Sequence, residues 1–167
     1  NGNSLISGTD EELKKYFGKN FKEKKPFNWE EQFPEVFKQG GFDVIIGNPP
    51  YIRNRELDNK DKEYFAKQYA TASGQYDLYQ LFFEQSLKLL KIGGISGFIT
   101  SNKYTIADYG KKLREHLLEN SKIIKMVDVS NLDVFRDAAT YPYIIIFKKD
   151  KENRDNIITV YKPVSEA

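Results

Sequence analysis

The chain is 167 residues long, one domain's worth and enough to bury roughly two-thirds of its unfolded surface. Its 26 Lys and Arg against 24 Asp and Glu leave a net charge of +2, so bulk charge demands no polyanion, and no apolar stretch nears the roughly 20 residues of a membrane span. Having no cysteine and one histidine, His116, the chain excludes disulfides, thiolate nucleophiles and cysteine-ligated zinc and favours metal-free chemistry; with no secretory signal pattern either, it reads as cytoplasmic.

In chain order, residues 1–7 read as the tail of a strand or the loop after it. Residues 8–41 are charged and punctuated by Pro26 and Pro34, an excursion with a short helix over 10–17, and Trp29 with Phe27 and Phe33 is placed to pin it to the core. Phe42 to Gly47 is a short continuous apolar run, which predicts a strand buried on both faces of a parallel sheet. Asn48-Pro49-Pro50-Tyr51 follows at once. Residues 52–73 are dense in charge and predict a surface segment with one helix over 61–69. Between Tyr76 and Leu90 apolar residues recur at helical spacing on more than one face, and Gly93-Gly94 predicts the stop. A strand over 95–100, a helix over 107–118 with Asp108 as N-cap and a strand over 123–129 complete a β-α-β-α-β alternation. The strand over 141–147 comes so soon that an antiparallel neighbour is expected, with Pro142 at an edge or entry. One more short strand is expected over 157–161, and His116 is expected on the surface of a charged helix.

Asn48-Pro49-Pro50-Tyr51 carries the chemistry. The proline pair locks φ twice and supplies no backbone donors, so a carboxamide oxygen, a free carbonyl and a phenol ring are held in nearly fixed relation. That is a seat for a planar amine, such as an amide or a nucleobase NH2. The alternative is an ordinary strand-ending turn, which the same residue types favour.

In order and spacing the chain resembles the catalytic half of gamma-class adenine-specific DNA methyltransferases, especially large type II restriction-modification enzymes that carry methylase and nuclease together. Gly2-Asn3-Ser4-Leu5-Ile6 resembles the family's third motif, Phe42 to Ile52 the fourth, Tyr76-Asp77-Leu78-Tyr79 through Gly94 the fifth, and Phe98-Ile99-Thr100-Ser101 the sixth. Leu113 to Leu118 and Val134-Phe135 occupy the order of the seventh and eighth. The resemblance implies an α/β, Rossmann-like S-adenosylmethionine-dependent methyltransferase fold, C-terminal catalytic part only, with a mostly parallel sheet and an antiparallel final strand. It implies a partial methyltransferase domain over 1–167, with an excursion at 8–41, a catalytic core at 42–149 and a lead into a further region at 150–167. The glycine-rich loop and the acidic strand end that hold the cofactor in such folds are not in this sequence. The expectation is therefore an incomplete S-adenosylmethionine site, a fragment inactive alone, and, because the resemblance leaves the strand at 42–47 without its first-strand partner, either self-association through that edge or a rearranged N-terminal segment covering it.

The resemblance also implies roles. Asn48 and Pro49 would accept the two protons of an adenine N6 amine, while Tyr51 and Phe135 would stack on the two faces of a base flipped from duplex DNA. Asn3 and Ser4 would contact cofactor, as would Asp77 and Tyr79, although Asp77 is equally suited to cap the helix that starts there. Arg53, Arg55 and Lys103 follow strand ends on the ligand side and would neutralise DNA phosphates, or else remain solvated surface charges. Competing classes are N-methylation of a protein glutamine or an RNA base, and an interaction module that kept the fold without catalysis. A glutamine methyltransferase offers no reason for Phe135 at this spacing.

Overall fold

The computed structural model describes residues 2–132, 141–150 and 157–163. Helix α1 (Asp10–Phe17) opens on a reciprocal cap in which Thr9 accepts from the Glu12 amide and Glu12 accepts from the Thr9 amide. A 3-10 segment (Gly18–Lys24) and the short helices α2 (Trp29–Gln32) and α3 (Pro34–Lys38) lead into strand β1 (Phe42–Gly47). Then come α4 (Asn59–Gln68), α5 (Leu78–Leu89), β2 (Leu90–Ser101), α6 (Lys103–Ile106), α7 (Lys111–Asn120), β3 (Ser121–Asp128), β4 (Pro142–Lys149) and β5 (Thr159–Tyr161).

The five strands form one sheet in the order β1-β2-β4-β3-β5. β1 is parallel to β2, while β4 runs antiparallel to both β2 and β3 and sits between them; β5 is parallel to β3. The antiparallel partner expected from the short 3-to-4 connection is therefore present, and Pro142, as first residue of β4, leaves the inner ladder intact.

One face of the sheet carries the core. Phe83 of α5 stacks on Phe147 at 5.6 Å and meets Phe98 at 5.2 Å, with Leu113 and Leu117 of α7 closing the cluster around Ile145. A second cluster joins the N-terminal excursion to α4: Leu5, Ile6, Leu13 and Phe17 pack with Tyr64, Phe65 and Tyr69. Burying each large side chain of this kind contributes about 1.5–3 kcal/mol. Trp29, Phe27 and Phe33 interlock with Phe37 and Phe42 and tie the excursion to the start of β1, as their spacing suggests.

Several expectations need correction. β1 is not buried on both faces: it is an edge strand, and Val44 and Ile46 are 59% and 81% exposed because no described residue pairs with its outer side or packs over them. Residues 52–73 are not merely a charged surface, since the Tyr64 and Phe65 face of α4 is buried against α1. α5 ends at Leu89, four residues before Gly93; the backbone turns extended at Leu90, and Gly93-Gly94 lie inside β2. Asp108 caps no long helix, falling in a 3-10 turn (Asp108–Gly110) before α7; a Cβ at Gly110 would run into the Tyr104 backbone, so glycine permits the close α6–α7 approach. His116 is half-buried beside Glu84 and Lys88, and burial lowers its pKa. Of the two readings of residues 1–7, the loop holds for residues 3–6, which form a turn tied to the 25–27 segment through the Asn3–Pro26 bridge and the Phe27 amide on the Ile6 carbonyl.

Candidate functional site

β1 delivers Asn48-Pro49-Pro50-Tyr51 to the end of the sheet next to the close of β2. Gly47 pairs with Phe98, and a Cβ at 47 would stand 3.2 Å from the Phe98 ring, so glycine lets the strand end lie against that aromatic. Asn48 is exposed, and among the described residues its carboxamide has no hydrogen-bond partner. Pro49 is buried and Pro50 exposed. The half-buried Tyr51 ring stands edge-on to Tyr79 at 5.9 Å, and its hydroxyl donates to the Ile99 carbonyl at 3.4 Å. Burial raises the Tyr51 pKa, so the phenol is a neutral ring at neutral pH. Below it Tyr79 and Tyr104 continue an aromatic column to Phe83.

After Tyr51 the chain is stapled to the segment leading into α5. The Leu78 amide donates to the Ile52 carbonyl at 2.7 Å, the Asn54 amide to the Tyr76 carbonyl at 2.9 Å, and Arg53 bridges Asp77. Beneath that staple, the buried Glu84 carboxylate accepts from the Ala70 and Thr71 amides and the Thr71 hydroxyl, with Lys88 at 3.0 Å. Burial alone would raise the Glu84 pKa, but those donors and Lys88 hold it below the ordinary carboxylate value.

Two depressions flank the turn. One, about 450 Å³, is a mainly apolar groove along β1 and α5, lined by Ser4, Trp29, Ile45, Asn48, Phe82 and Phe98 among others. The other, about 370 Å³, is polar and lined by Arg53, Asn54, Arg55, Gln75, Tyr76, Asp77, Lys103 and Tyr109. Arg53 and Arg55, from the turn at Asn54–Glu56 and its N-cap, thus share one depression with Lys103 of α6. The residues expected at the cofactor do not: Ser4 lines the groove, and the Asn3 side chain closes a turn onto the Leu5 amide at 3.1 Å. Asp77 lies in the polar depression, where its carboxylate accepts from Tyr109 at 3.1 Å rather than capping α5, and Tyr79 is 1% exposed under Tyr51. Phe135 lies outside the described residues.

Sequence reasoning missed Tyr109, Gln75 and Glu84. Glu84 alone had a signal, a carboxylate on an otherwise apolar helix. Among the described residues there is no group of three or more His, Cys, Asp or Glu that could hold a metal, and no helix is long and apolar enough to cross a membrane.

Residues 2–135 match the family model of the Eco57I restriction-modification methylase. The chain belongs to that family. It is 36% identical over 69% of its length to the type II restriction enzyme and methyltransferase RM.Eco57I of Escherichia coli, and 34% identical over 81% to the type II methyltransferase M.BstVI of Geobacillus stearothermophilus. It spans only 12% and 24% of those relatives' own lengths. Among solved structures, a protein of Listeria monocytogenes described as a class I S-adenosylmethionine-dependent methyltransferase superposes with a TM-score of 0.59 at 18% identity, over 73% of this chain and 36% of that one. The type IIG restriction endonuclease BpuSI gives 0.56 at 19% identity, over 71% of this chain and 15% of that one. The family member's fold is thus the α/β fold of S-adenosylmethionine-dependent methyltransferases, as the motif order implies.

Proposed function

We propose that the protein acts as part of a DNA methyltransferase of a restriction-modification system, moving a methyl group from S-adenosylmethionine to the exocyclic N6 of an adenine flipped from duplex DNA. The observation that carries this reading is the Asn48 carboxamide, exposed and unpartnered among the described residues at the end of β1, beside a tyrosine ring pinned to β2. Family membership and the fold support the same reading.

An adenine amine is a poor nucleophile because its lone pair is delocalised into the ring. The Asn48 oxygen and the Pro49 carbonyl accept hydrogen bonds from its two N–H groups, align the lone pair and stabilise positive charge as it develops; with no prior general base, the methylated nitrogen sheds one proton to water afterwards. Tyr51 stacks on the flipped base, offsetting an unstacking cost of a few kcal/mol, and Phe135 closes the opposite face. S-adenosylmethionine supplies the electrophilic methyl group when bound. Ser4, Trp29 and Asn48, the polar-capable residues of the mainly apolar groove, fit one wall of its seat; Asn3 orients Ser4 through the turn it closes. Asp77 and Tyr79 stand apart from that wall and act on the Tyr51 side. The bare outer edge of β1 pairs with a second copy of the chain when nothing else covers it.

The test is Asn48→Ala in the intact enzyme that carries this chain, with tritiated S-adenosylmethionine and adenine-containing duplex. We expect methyl incorporation to fall by about 100- to 1000-fold, the scale of removing one aimed polar group from a catalytic site, with duplex affinity retained. Undiminished incorporation would refute the mechanism.

A further inference from the structure

Asp77 stands at the N-cap of α5 with an extended backbone, φ −98° and ψ 144°, and its residue type is among the best at capping, yet its carboxylate makes no hydrogen bond to the helix. It accepts instead from the hydroxyl of Tyr109, 32 residues further on, at 3.1 Å. α5 is already anchored by the buried Leu81, Phe83 and Leu87, so this detour is not needed to hold the helix.

Both ends of the link are fixed. Tyr109 sits in the turn Asp108–Gly110, where the Gly110 amide donates to the Ala107 carbonyl at 3.0 Å. Arg114 of α7 braces that turn, donating through Nη1 to the Tyr104 and Ala107 carbonyls at 2.7 and 2.8 Å. Burial and the Asp77 charge raise the Tyr109 pKa, which keeps the hydroxyl a donor at neutral pH. At the other end Asp77 lies between Tyr76 and Leu78, the two residues whose backbones staple Asn54 and Ile52. Tyr51 immediately precedes Ile52. Its hydroxyl reaches the Ile99 carbonyl only at 3.4 Å and its ring meets Tyr79 edge-on, so the staple carries much of the placement of the ring.

We infer that Tyr109 is a positioning residue for methyl transfer: through Asp77 it ties the turn after α6 to the staple behind Tyr51 and so holds the ring where the adenine is received. This rests on the methyltransferase reading and deepens it. Tyr109 acts through Asp77 rather than on the adenine, and the chemistry is sensitive to such support, since a displacement of about 1 Å at a substrate-positioning group can cost 100-fold in rate.

The experiment compares the intact enzyme that carries this chain with its Tyr109→Phe, Asp77→Ala and Asp77→Asn variants, by amide exchange and by steady-state methylation of adenine-containing duplex. In Tyr109→Phe, exchange across 52–54 and 76–78 should quicken and kcat should fall by about 10-fold, the scale of one lost hydrogen bond, with KM for duplex and the melting temperature unmoved. Asp77→Ala should match it, while Asp77→Asn, whose carboxamide oxygen still accepts from Tyr109, should recover most of the rate. The double variant Tyr109→Phe/Asp77→Ala should be no slower than either single one. Unchanged exchange in Tyr109→Phe would overturn the inference. So would quickened exchange with normal kcat, a loss appearing in KM or melting temperature alone, or a double variant slowed by the product of the single effects. Exchange is read without DNA, so quickened exchange in an enzyme that never methylates adenine would sink the catalytic reading and leave the link from Tyr109 to the Tyr51 turn standing.

Discussion

The depressions on either side of Asn48-Pro49-Pro50-Tyr51 differ in how they are built. The apolar groove is walled by a strand edge and a long helix, whose shape follows from backbone ladders and from Phe98 packed on Phe83. The polar depression is walled by extended segments and short turns kept in place by a few hydrogen bonds, and Glu84 ties residues 70–71, just before that wall, to α5. Rigid secondary structure thus fixes the side on which Asn48 opens, while a polar network fixes the side on which the cations gather. Damage should spread differently from each.

The largest effect is expected on the groove side. Phe98→Ala removes a 4%-exposed ring that touches Phe83 and Phe147 and backs Gly47, and should cost about 3–5 kcal/mol, read as a lower denaturation midpoint with an unchanged denaturant slope. If the midpoint barely moved, the strand end would not depend on that ring.

Glu84→Gln should act mainly on the polar side. The change removes the charge held by the Ala70 and Thr71 amides and by Lys88, at a cost of about 1–3 kcal/mol near neutral pH. Because the folded pKa lies below its unfolded value, this stabilisation is complete above the ordinary carboxylate range and disappears as pH falls through the folded pKa. Melting of the protein and the variant should converge in acid, and amide exchange at 70–77 should quicken in the variant at neutral pH. A gap between the two proteins that stayed constant with pH would assign the loss to packing instead.

The smallest change in stability, within about 0.5 kcal/mol, is expected for Ile46→Lys, whose side chain is already 81% exposed. Its effect lies in assembly: sedimentation should show a concentration-dependent dimer for the unaltered chain and a monomer for the variant, since a lysine on an edge strand discourages pairing. A monomer in both cases would remove the edge as a docking surface.

Much of this was legible in the residues. Helix 10–17 was readable as a short helix in a charged excursion, though its Thr9–Glu12 cap shows only in the structure, and strand 42–47 because a largely apolar run ends in Gly47 just ahead of the Asn48-Pro49-Pro50 turn. Misreadings arose where local pattern and surroundings disagree. The Val-Ile-Ile of β1 looks like a strand covered on both faces, yet coverage depends on what lies beside it. Gly93-Gly94 looks like a helix stop, yet the β1–β2 ladder begins first, at Leu90.

The sequence alone determined the backbone of the Asn48-Pro49-Pro50-Tyr51 turn after β1, because proline φ angles on consecutive residues are local properties that no distant residue need supply. It also determined the alternation of elements, through hydrophobic period. Only the tertiary structure decided that Arg53, Arg55 and Lys103 converge and that Asp77 answers to Tyr109 rather than to its helix. Only packing could separate Tyr79, buried under Tyr51, from Ser4 in the groove. Apart from the near neighbours Arg53 and Arg55, those pairings join residues far apart along the chain, and sequence spacing carries no information about how a sheet and its connections fold them together.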